Sequence, residues 1–485
     1  MANMTKEQYP LFVDLDGTLV STDTLWESCL LFIKRYPFQL WLLIIWLFHG
    51  KAYFKEQLAM KVTPNAEILP YRAEVVEYIS NAKASKRDVY LITAANQRIA
   101  DSISKFHNIF TATIGSISKL NLKGKNKLDA IQSIIGTKNF DYIGDSKTEI
   151  IIWRAAHTAI ISNGSYRRVN QLNKDHDKII VLPDRGENIF RQWLMALRVH
   201  QWSKNMLLFL VLFMSHRILD LNLFKQVLIA FFSFSLSASA VYIFNDLFDL
   251  EADRKHPTKK NRPFASGQLS VVNGIRAIPI LLIIGFLLAI NLLPNIFTVA
   301  LIIYLITTTS YSLYLKEKLF IDVIILGALY TLRVLAGGLA VGIEVSSWLL
   351  GFSLFFFLSL AFMKRYADLL FIKNNNQEEL FGRGYSVIDL DLVQKFGITS
   401  GFVSLLILSL YINGAQITEL YKQPNLIWLT IPILLYWLMR MWLVAHHGKM
   451  TDDPIVFAIK DRSSYAMFLI IVIILIIAAN LNISI

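Results

Sequence analysis

Apolar and polar positions follow two different patterns along this chain. From the first residue to about residue 183, short apolar runs alternate with polar segments, as in soluble proteins that alternate strands with helices. Beyond residue 189, long apolar stretches follow one another, and each approaches or reaches the roughly 20 residues that a helix needs to cross a bilayer. They lie at about 201–216, 222–245, 275–293, 296–315, 320–342, 347–364, 395–416, 425–445 and 464–484.

The change of pattern predicts two domains. Residues 1–185 are expected to form an α/β domain, and residues 186–485 an all-α integral membrane domain of about nine transmembrane helices. Pro183 and Gly186 punctuate the charged segment at the boundary. The first apolar stretch, 201–216, is the shortest of the nine.

Composition supports a membrane protein. The chain has 485 residues, 54% of them hydrophobic, and a mean hydropathy of +0.46, which is too apolar for one soluble domain. The net charge of +12 does not indicate nucleic-acid binding, because basic residues beside apolar spans set topology or bind phosphate. The single cysteine, Cys29, excludes an intramolecular disulfide framework and a thiolate-rich metal site.

The distribution of charge among the loops predicts the orientation. If the N-terminal domain is inside, the inner loops carry most of the lysines and arginines, whereas the outer loops carry little beyond Arg217 and Lys422. This asymmetry satisfies the positive-inside rule. We therefore expect the N-terminal domain and the polar inner rim of the membrane domain to lie on the cytoplasmic side.

An acidic run closes the second apolar stretch. Asn245, Asp249 and Asp253 are spaced four residues apart, so on a helix they share one face, with Asp246 beside them. Because stacked like charges repel, this spacing favours a divalent cation, and oxygen ligands favour Mg²⁺, which commonly shares its shell with substrate phosphates. The alternative is a solvated, charged helix end. The cations that follow and would face phosphate are Arg254, Lys259, Lys260 and Arg262.

The N-terminal domain has an acidic motif of its own. Asp14 and Asp16 follow a buried-strand pattern, and their side chains point the same way because strand side chains repeat every two residues. Two later strand patterns end at Thr93 and Asp145, and a helical pattern opens near Lys127. Strand ends are where open α/β sheets place their sites, and a carboxylate that attacks a phosphate needs a metal and a cation nearby.

The run Asn-Asp-x-x-Asp-x-x-x-Asp-Arg-x-His-Pro-Thr-Lys, which begins at Asn245 and is followed by Arg262-Pro and Gly267, resembles the first acidic motif of the UbiA superfamily. It is most similar to the polyprenyl-phosphate (decaprenyl-phosphate) phosphoribosyltransferases of cell-wall biosynthesis. The resemblance implies that Mg²⁺ binds Asn245, Asp249 and Asp253, and that Asp249 and Asp253 are catalytic. From the resemblance and the polar inner rim, the residues predicted to bind substrate are Gln201, Lys204, Asn245, Asp246, Arg254, His256, Lys259, Arg262, Asp322, Arg333, Lys364 and Arg365.

Some of these residues have a structural alternative. Asp322 and Arg333 lie within the fifth apolar stretch, where an ionisable residue is a functional candidate by default, although structural charges also pair with one another. The second motif departs from that of aromatic prenyltransferases, which carry two close-set acids, because Asp368 has no aspartate partner before Asp389 and Asp391. We interpret His446 and His447 as interface residues rather than metal ligands.

The sequence Asp14-Leu-Asp16-Gly-Thr, with Thr93, Lys127 and Asp145 following in order, resembles the haloacid dehalogenase-like phosphatases. The resemblance implies a Rossmann-like α/β fold with a helical cap. Asp14 would be the nucleophile and Asp16 the general acid/base. Thr93 and Lys127 would hold the phosphoryl group, and Mg²⁺ would bind Asp14, Asp16 and Asp145.

Three points stay open in this domain. Lys125 competes with Lys127 for the role of the cation, although the family lysine stands just inside the helix. Glu149 is the acid found after Gly144-Asp145, and its part in metal binding is open. An inactive phosphatase-like fold kept as a regulatory module is an alternative to a working enzyme.

The predicted cap contains an unusually apolar run at residues 38–48. The run is too short to cross a bilayer as a helix. It either lies in the membrane interface, where Trp41 and Trp46 suit the headgroup level, or packs inside the cap.

These observations predict a bifunctional enzyme of the bacterial cytoplasmic membrane, with its active sites on the cytoplasmic side. It would transfer 5-phosphoribose from phosphoribosyl pyrophosphate to a polyprenyl phosphate, and the N-terminal domain would remove the 5-phosphate. One alternative is an aromatic prenyltransferase with an isoprenyl diphosphate donor. A transporter or scaffold is the other, although inner-rim carboxylates without an outward counterpart argue against transport. The expected partners are the two substrates and the membrane, without nucleic acid; whether a homo-oligomer forms is left open.

Overall fold

The computed structural model describes residues 9–118, 120–136, 139–162, 172, 176, 178–183, 188–376, 378–380, 383–414, 417, 420–450 and 453–480. The chain divides into two compact units. Unit 1 comprises residues 1–197 together with 242–279, and unit 2 comprises residues 198–241 together with 280–485. The acidic run that follows residue 244 therefore belongs to the same compact unit as the N-terminal domain, and the domain boundary at residue 185 stays a prediction.

Unit 1 is built around a parallel sheet of six strands in the order β3-β2-β1-β4-β5-β6. Strand β1 lies in the middle, where the strand order reverses, and open α/β sheets place their sites at such a point. The strands are β1 (Leu11–Val13), β2 (Val89–Asn96), β3 (Ala112–Ser116), β4 (Asp141–Gly144), β5 (Thr158–Ile161) and β6 (Ile179–Val181).

Both faces of this sheet are covered. Leu11 and Val13 pack into one apolar core and Phe12 into another, because successive strand residues point to opposite faces. The predicted α/β fold is confirmed, and helices α1–α3 between β1 and β2 form the expected cap. The helices of unit 1 are α1 (Thr24–Arg35), α2 (Trp41–Phe48), α3 (Lys51–Lys61), α4 (Ala73–Ala84), α5 (Gln97–His107), α6 (Lys125–Ile135), α7 (Ile150–Ala155) and α8 (Ile189–Ala196).

Beyond α8, the regular elements of the described residues are helices. The helices beyond α8 are α9 (Leu210–Met214), α10 (Leu221–Phe248), α11 (Leu250–Lys255), α12 (Val271–Leu292), α13 (Asn295–Leu313), α14 (Ile321–Val341), α15 (Ser347–Asn374), α16 (Leu390–Ile412), α17 (Thr430–His446), α18 (Pro454–Lys460) and α19 (Arg462–Asn480). The predicted all-α membrane domain is confirmed.

The number of spans needs a correction. Within the described ranges, eight helices rather than about nine are long and apolar enough to cross a membrane. The first predicted span, 201–216, folds instead as a 3-10 helix, Val199–Phe209, that leads into the short helix α9. Polar side chains at Gln201, Lys204 and Asn205 interrupt its apolar pattern. Because 3-10 turns rise by about 2.0 Å per residue, the two pieces together still cover roughly 30 Å.

The 3-10 helix packs closely against α14 inside unit 2. A Cβ atom added to Gly337 would lie 2.1 Å from the carbonyl oxygen of Leu208, so only glycine lets the two backbones approach this far. Gly351 on α15 differs, because its added Cβ would meet only side-chain carbons of Ile407, the nearest at 3.6 Å.

We predict that Gly337→Ala destabilises the protein by about 1–3 kcal/mol, since the Leu208 backbone must move. The measurement is the melting temperature of the purified full chain in detergent. Gly351→Ala is the matched control, and it should leave that temperature unchanged or raise it, because alanine favours helix by about 1 kcal/mol. Equal melting temperatures for the two variants would contradict the close contact.

Candidate active sites

The first candidate site lies at the carboxyl end of β1. The buried ammonium of Lys127 contacts Asp14 Oδ1 at 2.8 Å and Glu149 Oε1 at 2.9 Å. Burial disfavours the charged form of Lys127, but the two carboxylates outweigh it and raise the pKa of this lysine. Lys125, the competing cation, is exposed on the same helix. The structure thus brings Lys127 to the predicted nucleophile.

Glu149 holds this arrangement together. Its carboxylate accepts hydrogen bonds from the Tyr142 hydroxyl at 2.5 Å and from the backbone N–H groups of Asp145 and Ser146 at 3.0 and 3.1 Å. Burial opposes ionisation, but the charge of Lys127 and the hydrogen bonds from Asp14, Tyr142 and Lys127 lower the pKa of Glu149 to about 2. With four donors already engaged, Glu149 fixes the positions of Lys127 and Asp145.

The carboxylates of Asp14, Asp145 and Glu149 fit a metal site, because one oxygen from each lies within 4.8 Å of the others. Burial, and then the charge of Glu149, raises the pKa of Asp14 well above its usual value. Lys127 therefore does not fully offset the negative charge, and a divalent cation would. Gly17 makes room for this geometry: its φ is +77°, and an added Cβ would lie 2.4 Å from Asp145 Oδ2.

Asp16 lies at the start of the cap, where its Oδ1 accepts a hydrogen bond from the backbone N–H of Thr24 at 2.8 Å. Among the described residues, the group of acids that could hold a metal contains Asp14, Asp145 and Glu149 and does not include Asp16. Burial raises the pKa of Asp16 to about 7, with Asp23 adding to the shift. This pKa suits a proton donor. Both predicted roles of Asp16, as acid/base and as metal ligand, stay predictions.

The other predicted phosphate ligand is Thr93 in β2, which is fully buried and accepts the backbone N–H of Ala95 at 3.0 Å. Sequence reasoning missed Lys55 of the cap helix α3. Its ammonium donates to the Ala94 carbonyl at 2.6 Å and to Asn121 at 3.0 Å, beside this strand end. A single lysine on a cap helix carries no sequence signal for such a contact.

The second candidate site is the acidic run at the end of α10. Arg262 Nη1 bridges two buried carboxylates, Asp246 at 3.0 Å and Asp253 at 2.7 Å. Burial raises the pKa of Asp253, although Arg262 opposes the shift. Asp249 stands at the start of α11, and its backbone N–H bonds to the Asn245 carbonyl at 3.0 Å. Arg262 thus holds Asp246 and Asp253 together, and the predicted metal site of Asn245, Asp249 and Asp253 stays a prediction.

Lys34 is a second cation that sequence reasoning missed. It lies in the last turn of α1, and its ammonium donates to Asp249 Oδ1 at 3.0 Å and to the Phe248 carbonyl at 2.8 Å. A residue of the phosphatase-like cap therefore contacts a predicted metal ligand of the transferase motif. More than 200 residues separate the partners, and nothing local in the sequence indicates the pair.

Arg254 has another partner than the predicted phosphate. Its guanidinium forms a two-pronged ion pair with Glu27 of α1, at 2.9 and 2.6 Å, and its Nε donates to the Ala265 carbonyl at 3.0 Å. Both side chains are buried. All three guanidinium nitrogens are thus engaged, so Arg254 joins the acidic run to the cap, and its predicted substrate-binding role stays a prediction.

His256 and Lys259 lie on the exposed surface after α11, where the backbone N–H of Lys259 approaches His256 Nδ1 at 3.4 Å. Exposure leaves both side chains accessible to a ligand, and their predicted roles stay predictions.

In unit 2, Asp453 holds two predicted substrate-binding lysines together. Its Oδ2 accepts from Lys204 at 3.0 Å and from Lys364 at 3.2 Å. The two cations outweigh the effect of burial and hold the pKa of Asp453 well below its usual range. The pairing places two positive charges against one carboxylate, beside Gln201 in the same 3-10 helix as Lys204.

Asp322 and Arg365 form an ion pair with each other, as in the alternative of structural pairing. The guanidinium of Arg365 contacts Asp322 Oδ2 at 2.8 Å and Asp368 at 2.8 Å, and both Arg365 and Asp322 are almost fully buried. The remaining oxygen of Asp322 accepts from the Tyr385 hydroxyl at 2.5 Å. These contacts fit the structural alternative, and the predicted substrate-binding roles of both residues stay predictions.

Arg333 is buried among neutral partners. Its guanidinium donates to Asn205 at 2.9 Å, to the Leu329 carbonyl at 2.8 Å and to the Tyr304 hydroxyl at 3.1 Å. The ring of Tyr330 lies 5.3 Å from its central carbon. A buried arginine held by neutral groups is suited to receive an anion. His446, by contrast, contacts the Tyr366 hydroxyl at 3.0 Å, in keeping with its interpretation as an interface residue.

The model of the UbiA prenyltransferase family matches residues 206–471, which is more than half of the chain. The chain belongs to the UbiA prenyltransferase family. The uncharacterized protein y4nM of Sinorhizobium fredii is 37% identical over 457 residues, which cover 94% of this chain and 88% of that protein. The decaprenyl-phosphate phosphoribosyltransferase of Mycobacterium tuberculosis is 35% identical over 178 residues, which cover 36% of this chain and 59% of that protein.

The N-terminal region has a more distant likeness to a solved structure. A phospho-aspartyl intermediate analogue of phosphoserine phosphatase matches 36% of this chain and 94% of its own, at 14% identity and a TM-score of 0.24. At this TM-score, the likeness carries no argument about the fold or the chemistry of this chain. The case for chemistry in the N-terminal domain therefore depends on the contacts of Asp14, Lys127 and Glu149.

We predict that Arg254→Met lowers the free energy of unfolding by about 3–5 kcal/mol, because the carboxylate of Glu27 would stay buried without its partner. Thermal unfolding of the full chain in detergent measures the loss. The double variant Glu27→Gln/Arg254→Met should lose less than Arg254→Met alone.

Arg35→Met is the control for this prediction. Arg35 lies 3.9 Å from Glu251, and its side chain is 53% exposed, so its removal should change stability by no more than about 0.5 kcal/mol. If Arg254→Met were as mild as Arg35→Met, the Glu27–Arg254 pair would not link the acidic run to the cap.

Proposed function

We propose that this chain is a bifunctional enzyme that transfers 5-phosphoribose from phosphoribosyl pyrophosphate to a polyprenyl phosphate and then removes the 5-phosphate. The observation that carries the proposal is the 35% identity to a decaprenyl-phosphate phosphoribosyltransferase. The buried Asp14–Lys127 pair in the attached domain supports the second step. Loop charge supports placing both steps on the cytoplasmic side of the membrane.

The transfer step uses the acidic run at the end of α10. Asn245, Asp249 and Asp253 would hold Mg²⁺, and at both sites the bound ion supplies positive charge that offsets repulsion between carboxylates and substrate phosphates. A lipid phosphate oxygen attacks C1 of the ribose, and the bond from C1 to pyrophosphate breaks. Lys259 and Arg262 are the candidates in this run to bind phosphate oxygens.

The charge of unit 2 supports an anionic substrate. Lys204 and Lys364 share the single carboxylate of Asp453. Arg333 is held by neutral groups deep in the helical core. Groups of this kind bind phosphate through charge-assisted hydrogen bonds. We assign them to the phosphates of the donor and the lipid, without dividing them between the two.

The phosphatase step uses the end of β1. Asp14 attacks the phosphorus of the 5-phosphate, and Asp16 gives its proton to the ribose oxygen that leaves. Water then cleaves the acyl phosphate on Asp14, with Asp16 now accepting a proton. A pKa near 7 suits Asp16 for both roles. Lys127 holds Asp14 in place and, with Thr93, would bind the phosphoryl oxygens.

We predict that Asp249→Asn lowers transfer of ribose to lipid by about 100-fold or more, because it removes a charged ligand at the site where pyrophosphate leaves. The assay follows radiolabel from phosphoribosyl pyrophosphate into decaprenyl phosphate, with the full chain in detergent and Mg²⁺ present.

Glu251→Gln is the matched control, since Glu251 lies two residues further along at a position that the motif leaves unspecified, and it should keep most of the activity. Transfer that survives Asp249→Asn would contradict the assignment of the site. Incorporation of a prenyl group into an aromatic acceptor, with none of ribose into lipid, would favour an aromatic prenyltransferase.

For the phosphatase step, we predict that Asp14→Asn abolishes phosphate release from the lipid product while the product itself still forms. Lys127→Met should lower release by about 100-fold or more, because it removes the buried cation beside the nucleophile. Release of inorganic phosphate from purified lipid-linked phosphoribose measures both.

Lys125→Met controls for the loss of one positive charge on the same helix, and it should release phosphate at the normal rate. Undiminished release by Asp14→Asn would reject this step and favour a regulatory role for the domain.

A further inference from the structure

Helix α2 of the cap is apolar on both of its faces. Leu42, Leu43 and Trp46 face inward and pack in the apolar core of the cap with Phe32 and Leu58. A helix that rests one face on the core of a soluble domain carries polar residues on its other face.

The outward face of α2 carries Trp41, Ile44, Ile45 and Phe48, at the spacing of one helical stripe. All four are exposed, Phe48 to 86%, and Phe38 in the preceding turn is exposed to 93%. Together with Leu40 and Leu47 they form a contiguous apolar surface, which we call the cap patch. A large exposed apolar patch marks an interaction site.

The cap patch lies next to a contact with the end of a membrane-spanning helix. Lys34, in the last turn of α1, donates to the carbonyl of Phe248 at 2.8 Å, and Phe248 is the last residue of α10. Helix α10 is one of the eight candidate spans. Because α2 begins at Trp41, the cap patch follows this contact within a few residues of the chain.

Length and charge indicate how such a segment meets a bilayer. Helix α2 rises by about 12 Å, which is far short of the roughly 30 Å of the hydrocarbon core. It therefore suits the interface rather than a crossing. Cations flank it, with Arg35 before it and the exposed Lys51 and Lys61 after it, as in segments that bind the surface of anionic membranes.

We propose that the cap patch inserts into the headgroup region of the bilayer that α10 crosses, and that it holds the phosphatase-like cap on the membrane surface. The occupant of the patch is lipid, not a second copy of the chain or another of its segments. The inference does not depend on the proposed reactions, although it would place the phosphatase site near lipid-linked phosphates.

The experiment labels one cysteine at a time in the full chain. The starting variant is Cys29→Ser, which removes the native cysteine. The first probe is Phe48→Cys on the cap patch. The second is Ala84→Cys, at the exposed end of α4 shortly before β2 begins. Each is labelled with bimane and placed in nanodiscs of phosphatidylcholine and phosphatidylglycerol. Fluorescence is measured with normal lipids, with brominated lipids and with aqueous iodide.

We expect brominated lipids to lower the fluorescence of the label at Phe48→Cys at least twofold and to leave that of the label at Ala84→Cys unchanged. Iodide should quench the label at Ala84→Cys and leave the label at Phe48→Cys unchanged. Quenching at position 48 by iodide rather than by brominated lipids would overturn the proposal. Protection from both quenchers would do so as well, because it would mean that protein covers the patch. Should Phe48→Cys fail to fold, Phe38→Cys tests the same surface, since that side chain makes fewer contacts still.

Discussion

This structure depends on one constraint: its buried carboxylates must be compensated by cations, which come from distant parts of the chain. Lys127 lies between Asp14 and Glu149, and Arg254 reaches Glu27 across 227 positions of sequence. A carboxylate buried without such a partner would cost several kcal/mol. The ion pairs therefore decide which parts of the chain fold together, and they join the acidic run after α10 to the N-terminal domain.

Sequence reasoning located the acidic motifs because their signals are local. Asp14 lies at a strand end and Asp249 at a helix end, and the periods of strand and helix place their neighbours on known faces. The same logic recovered the α/β fold and eight of the apolar helices. It counted segment 201–216 as a ninth transmembrane helix, because hydropathy measures how apolar a segment is. Hydropathy does not show whether the turns of a segment are α-helical or 3-10.

The partners of those motifs could not be predicted, since an ion pair between distant residues leaves no local pattern. Lys34 and Lys55 come from cap helices that carry ordinary surface charges in the sequence, yet they reach Asp249 and the end of β2. Arg365 stands in a motif-like run, and the structure pairs it with Asp322, while its predicted substrate role stays a prediction. Motif and spacing identify candidate residues, and the structure shows which of them pair with other charged groups of the protein.

The charge left over in each group indicates what that group can bind. Asp322 and Arg365 pair with each other while buried, and Arg365 also contacts Asp368, so these charges are compensated within the protein. Asp14, Asp145 and Glu149 exceed the charge of Lys127 and favour a cation. Lys204 and Lys364 exceed Asp453, and Arg333 has neutral partners, so these groups favour an anion. An enzyme that moves phosphorylated sugars onto lipid phosphate needs groups with excess negative charge to bind its metal cation. It also needs groups with excess positive charge to bind its anionic substrates.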